Sequence, residues 1–124
     1  MWTSSAAVAL ALAVAFGAFG AHALKSRLDE YLMGVYEKAV LYHFIHALGL
    51  LIVPILSRVG VISAAAVNPV CSLLLAGILF FSGSLYLLAL TGTRFLGAIT
   101  PIGGVAFLAA WLLLAYAAIK GPQA

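Results

Sequence analysis

Charge is the scarcest resource in this sequence. Six Lys and Arg and three Asp and Glu make up 7% of the 124 residues, against about 25% in an ordinary soluble domain. So few charged side chains cannot build a water-facing surface, which leaves lipid as the main solvent. Cysteine is nearly absent too. Cys71 stands alone, which excludes a disulfide framework and a Cys-x-x-Cys metal knuckle; inside an apolar helix it reads as a small packing residue. Aspartate occurs once, as Asp29, and no glycine-rich loop is completed by Lys-Ser or Lys-Thr, so neither acid–base pairs nor a phosphate-binding loop is on offer. No basic run exists that could follow a nucleic acid. The isoelectric point near 9.3 reflects a net charge of only +3, which in a membrane protein reads as attraction to anionic head groups. Two-residue alternation of apolar and polar positions is missing as well, which argues against a membrane β-barrel.

What is present in excess is hydrophobic residue, 66% of the chain, with a mean hydropathy of +1.24. In lipid every backbone polar group needs an internal partner, so continuous apolar runs must be helices. Four such spans are expected, at about 4–22, 38–57, 69–91 and 99–119, forming an all-α integral membrane domain. Short connections make an antiparallel four-helix bundle the expected arrangement. The first span lacks the basic leading segment of a secretory signal and is expected to be retained. In it Ala9, Ala13, Gly17 and Ala21 recur every fourth residue, a smooth face that lets another helix approach closely. Gly83, Gly103 and Gly104 offer similar surfaces in the last two spans.

Ser26 and Asp29 fit a Ser-x-x-Asp capping box, so a short amphipathic helix over about 26–37 is expected at the membrane interface between spans one and two. Gly34 is a possible bend, and Pro54 a kink or stop near the end of span two. Asn68-Pro69 and Thr100-Pro101 read as cap-plus-proline starts of spans three and four, and Gly92 as the C-terminal cap of span three. Lys and Arg number four on the side of loops one and three (Lys25, Arg27, Lys38, Arg94) and two on the other (Arg58, Lys120), a bias too small to set the orientation.

The chemistry-bearing stretch is Tyr36–Ser57, where His43 and His46 lie within an apolar run. An ionisable residue in a span is costly and normally faces the bundle interior. His46, four residues after Tyr42, is the stronger candidate; hydroxyls of Ser82, Ser84, Tyr86 and Thr100 are its expected partners, with His43 on the same broad face and His22 at the exit of span one as a possible third group.

Four stretches carry a resemblance: Phe16-Gly-Ala-Phe-Gly-Ala-His-Ala-Leu24, Tyr42-x-x-x-His46-Ala-Leu48, Phe81-Ser-Gly-Ser-Leu-Tyr86 and Thr100-Pro-Ile-Gly-Gly-Val105. Together they resemble the small four-helix membrane proteins of the domain-of-unknown-function 423 family, related to the eukaryotic transmembrane protein 256 group. The resemblance covers all four spans. It implies a bacterial inner-membrane or mitochondrial location and the Tyr42–His46 pair, and it supplies no activity. Ala110-Trp111 stands where the family often has Gly-Trp.

Three functional readings follow. In the first, His46, Tyr42 and the serine hydroxyls fix helix register, and the protein is a non-catalytic accessory subunit meeting other membrane subunits or copies of itself. In the second, the His and Tyr groups orient the head of a lipid or quinone beside an apolar groove. In the third, histidines bind haem or a metal, although two histidines three residues apart cannot be opposite axial ligands of one haem. Proton or ion conduction would need a continuous polar path, of which only fragments are visible. A satisfied buried histidine is the commoner case, so the first reading leads; no cofactor, metal or nucleic acid is expected, and membrane lipids are the surrounding partners.

Overall fold

A computed structural model describes residues 1–123. Among the described residues the chain is helix and turn without strands. Four helices are long and apolar enough to cross a membrane: Trp2–Leu24, Glu30–Arg58, Ala64–Thr91 and Arg94–Lys120, of 23, 29, 28 and 27 residues. At about 1.5 Å per residue each exceeds the ~30 Å hydrocarbon thickness of a bilayer. Span one comprises α1 (Trp2–Phe19) and a π-helical turn, Gly20–Leu24; span two is α2 (Glu30–Arg58). Span three joins α3 (Ala64–Gly77) to α4 (Gly83–Thr91) through a π-helical turn at Ile78–Ser82, and span four is α5 (Thr100–Lys120) after a short 3-10 turn, Arg94–Ala98.

The helix ends correct several sequence expectations. The Ser26 capping box does not form. Asp29 is itself the N-cap, accepting the Leu32 N–H at 2.7 Å, because its carboxylate satisfies a free amide and complements the positive helix end. Residues 25–29 form the turn instead of a helical start. No separate helix therefore precedes the second span: the amphipathic residues are the opening turns of α2, which runs unbroken through Gly34 and past Pro54 to Arg58.

The third helix begins at Ala64, with Ser63 at the cap position, not at Asn68. Pro69 lies inside it and forfeits a single intrahelical bond through its missing N–H. The Asn68 side-chain amide oxygen has a different task, accepting the Trp2 indole N–H at 2.7 Å and tying the start of α1 to the first turns of α3. In α5 the cap position is Ile99, so Thr100 is already helical and its hydroxyl is free to reach Ser84. Gly92 ends α4 as expected, in the left-handed region at φ 70° with its N–H on the Leu88 carbonyl at 2.8 Å.

The middle of the molecule is α2, which packs against α1, α3 and α4; α5 packs against α3 and the second π turn, and α1 has no comparable backbone approach to spans three or four. Buried side chains between the helices are small on α1 (Ala6, Ala9, Ala13) and larger on α2 and α3 (Leu50, Val53, Val70, Leu74). Gly103 is pressed against the Phe81 backbone, and Gly77 leaves the notch that the Phe107 ring fills. Gly83 and Gly104 have only ordinary or distant neighbours, so they are not close-approach positions. Along span one the buried stripe passes from α1 through Gly20, under the Tyr36 ring, to Leu24, while Ala21 is exposed. Four-residue steps advance about 40° beyond a full turn each, so a strict every-fourth pattern drifts off the buried side.

Candidate functional site

The polar side chains expected to form one cluster are divided between the two flanks of α2. On the flank facing α1 and α4, Tyr86 Oη lies 2.9 Å from His43 Nδ1. The Tyr36 hydroxyl donates to the Phe16 carbonyl of α1. The aromatic rings close this group: Phe16 and Tyr86 centroids are 4.8 Å apart, and Tyr36 meets Tyr86 edge-on at 5.3 Å. His43 thus joins spans two and three.

On the other flank His46 Nδ1 lies 2.7 Å from the Tyr42 carbonyl, one turn back on its own helix. A carbonyl only accepts, so Nδ1 carries the proton there. The imidazole stacks on Phe107 of α5 with centroids 3.4 Å apart and planes 11° from parallel. The Tyr42 ring stacks in the same pile, 4.4 Å from Phe81 and 6.3 Å from Phe107. His46 therefore contacts span four by its face and makes no hydrogen bond to span three. The side chain that makes that bond is His43, three residues earlier. Three residues turn the helix by about 300°, enough to point the two rings at different neighbours.

The serines bond neighbouring helices and not the histidines. Ser82, fully buried, donates to the Ala39 carbonyl of α2 at 2.8 Å across the helix interface. Ser84 donates to the Phe81 carbonyl at 2.9 Å and lies 2.7 Å from the Thr100 hydroxyl, linking spans three and four. His22 is exposed on the first π turn, apart from both clusters. Among the described residues no buried side-chain nitrogen or oxygen lacks a partner, and no group of three or more His, Cys, Asp and Glu is close enough to hold a metal ion. The three carboxylate residues, Asp29, Glu30 and Glu37, are all exposed at the start of α2.

Alongside the His43 cluster an open groove of about 520 Å³ runs between span one and span three. One wall follows α1 from Ser4 and Ser5 through Val8 and Leu12 to Phe16; the other is formed by Leu75, Ile78 and Leu79, with His43 and Tyr86 among the lining residues. Sequence reasoning missed Phe16 and Phe107 as site members. For Phe107 a signal existed in Gly77, whose bare backbone in mid-span marks a place for a ring on a neighbour.

A family model described as "Protein of unknown function (DUF423)" matches residues 16–104. A UPF0382 membrane protein of Staphylococcus epidermidis is 51% identical over 109 residues, covering 88% of this chain and 87% of that protein. The UPF0382 membrane protein of Staphylococcus haemolyticus is 50% identical over the same length, with 88% and 87% covered. The UPF0382 membrane protein YwdK of Bacillus subtilis is 45% identical over 113 residues, with 88% of each chain covered. No solved structure matches the chain significantly.

Proposed function

This chain belongs to the DUF423 family of membrane proteins, and we propose that it serves as a non-catalytic component of a larger assembly in the bacterial inner membrane, built with other subunits or with copies of itself. The observation that carries the reading is how its buried polar groups are used. Ser82, Tyr36, Ser84 with Thr100, and His43 with Tyr86 all join one helix to another. Such bonds fix register; at about 0.6 kcal/mol each they add modest stability. With every carboxylate at the exposed end of α2, the interior has no acid to pair with its histidines, which weighs against proton-transfer chemistry.

The bundle we propose is antiparallel. Pairings in support are Trp2 with Asn68 at one end, and Tyr36 with Phe16 and Gly20 toward the other. The opening turns of α2 are the natural interfacial segment: at about 43 Å the helix is longer than the hydrocarbon it must cross. Its Tyr31 ring sits beneath the Arg94 guanidinium, 4.8 Å from the ring centroid, a pairing suited to head-group depth. Lipid-facing surface for partners is plentiful, since only 22% of the apolar window is buried in each of spans one and four, against 50% in span three.

Chemical cross-linking in native membranes, followed by native mass spectrometry, tests this. The expected product is heavier than the 12.9 kDa protomer, and Ser82→Ala lowers its yield by loosening register. A lone protomer at native abundance contradicts the reading.

A further inference from the structure

We propose that the groove between spans one and three is a binding site for a neutral prenylated quinone, with its ring at His43 and Tyr86 and its tail lying along α1. The site shares His43 and Tyr86 with the register-setting contacts and uses the imidazole nitrogen that their mutual bond leaves free. Three features select the occupant.

The first is depth. With the opening turns of α2 at the interface, His43 lies inside the hydrocarbon but short of its midplane, and no Lys or Arg is among the residues lining the groove. A phosphate or carboxylate head group there would lose its hydration without a cationic partner, and charge is expelled from this depth. The head must be uncharged.

The second is hydrogen-bonding capacity. When the Tyr86 hydroxyl donates to His43 Nδ1, the neutral imidazole carries its proton on Nε2. That N–H is the donor left over on a ring that lines the groove. A ligand carbonyl can take this proton. The Phe16 and Tyr86 rings beside it supply flat aromatic surface for a ring-shaped head.

The third is length. From Ser4 to Phe16 the groove follows α1 for about 18 Å, well over half the hydrocarbon thickness. Between Ser4 and Ser5 at one end and the aromatic groups at the other the walls are aliphatic, through Val8, Leu12, Leu75 and Leu79, as a prenyl tail requires. A volume of about 520 Å³ falls within the usual range for small-molecule sites, roughly 300–1,000 Å³.

The test uses the whole protein in nanodiscs, titrated with a naphthoquinone carrying two isoprene units and, in parallel, with oleate and with phosphatidylglycerol, read by native mass spectrometry. The expected result is one saturable quinone per protomer and no saturable binding of the two anionic amphiphiles. Leu79→Trp fills the groove from an exposed wall position and should weaken binding at least about tenfold. His43→Ala should weaken it about fivefold to tenfold by removing the donor, and His43→Gln should recover part of the loss. Leu108→Trp, exposed on α5 away from the groove, should bind like the parent. Preferential retention of oleate or phosphatidylglycerol overturns the proposal. So does equal binding by the Leu79→Trp and Leu108→Trp proteins, or cross-linking that seats a second copy of the chain in the groove. The ligand-binding outcomes leave the assembly experiment untouched, and a second copy seated in the groove would support assembly while overturning the quinone site, so the two ideas fail separately.

Discussion

Spans one and four are equally uncovered in their apolar windows, at 22% buried, yet they close against the interior in opposite ways. Span four is locked to span three by backbone and ring. Gly103 abuts the Phe81 main chain, Phe107 fills the notch at Gly77, and His46 stacks on the far face of the same ring. Span one meets α2 through alanines, Gly20 under the Tyr36 ring and one tyrosine hydrogen bond, and between its Trp2–Asn68 and Phe16–Tyr86 contacts with span three the groove stays open. A seam filled by rigid contacts has no room for a ligand and reads as structure. A seam left open beside a histidine–tyrosine pair reads as a place for something else to sit.

The difference can be broken most severely at Phe107. Phe107→Ala empties the Gly77 notch and unstacks His46, and we expect a loss of about 3–5 kcal/mol, measured by SDS titration in bicelles. Gly103→Ala comes next, at about 2–3 kcal/mol by the same measurement. Its new methyl would meet Phe81 backbone atoms, which cannot swing aside as a side chain could. Ser82→Ala removes one interhelical bond to Ala39 and should cost about 0.6 kcal/mol. Gly104→Ala and Gly83→Ala should change stability by less than about 0.5 kcal/mol, because a methyl at either position meets nothing closer than ordinary contact. Equal losses for the neighbouring pair Gly103→Ala and Gly104→Ala would dissolve the distinction between a locked and an open seam.

Much of the helical layout was legible because the apolar runs are long and uninterrupted, and lipid leaves the backbone few alternatives. Gly92 was legible because only the left-handed region satisfies that helix end so cheaply for glycine. The end marked by Ser26 was misread because Asp29 takes the cap itself, and those marked by Asn68 and Thr100 for a shared reason. A polar residue near an apolar run can cap its own helix or bond a neighbouring one, and sequence does not distinguish the two. Asn68 bonds Trp2 and Thr100 lies beside Ser84, both long-range partners.

In the candidate site, His43, His46, Ser82 and Ser84 are buried and Tyr42 and Tyr86 half-buried, while His22 is exposed; spacing singled out all of them alike. It did not say which neighbour each would meet. His43 and His46 share a broad face, but the point where α2 crosses the other helices sends one toward Tyr86 and the other onto Phe107. Gly103 and Gly104 differ for the same reason: one residue turns a helix by about 100°, so a single glycine of the pair faces the crossing point. Crossing points are set by tertiary packing, which the local pattern does not encode.

The most direct measurement is photo-crosslinking with an azido-naphthoquinone bearing a prenyl tail, applied to the protein in its native membrane and followed by peptide mapping. An open, ligand-holding first seam and a locked fourth one predict saturable label on peptides spanning Ser4–Phe16 and Leu75–Tyr86, competed by unlabelled quinone, with little on Thr100–Lys120. Label spread evenly over spans one and four, and unmoved by competitor, would mean that both helices simply face lipid and would contradict the distinction.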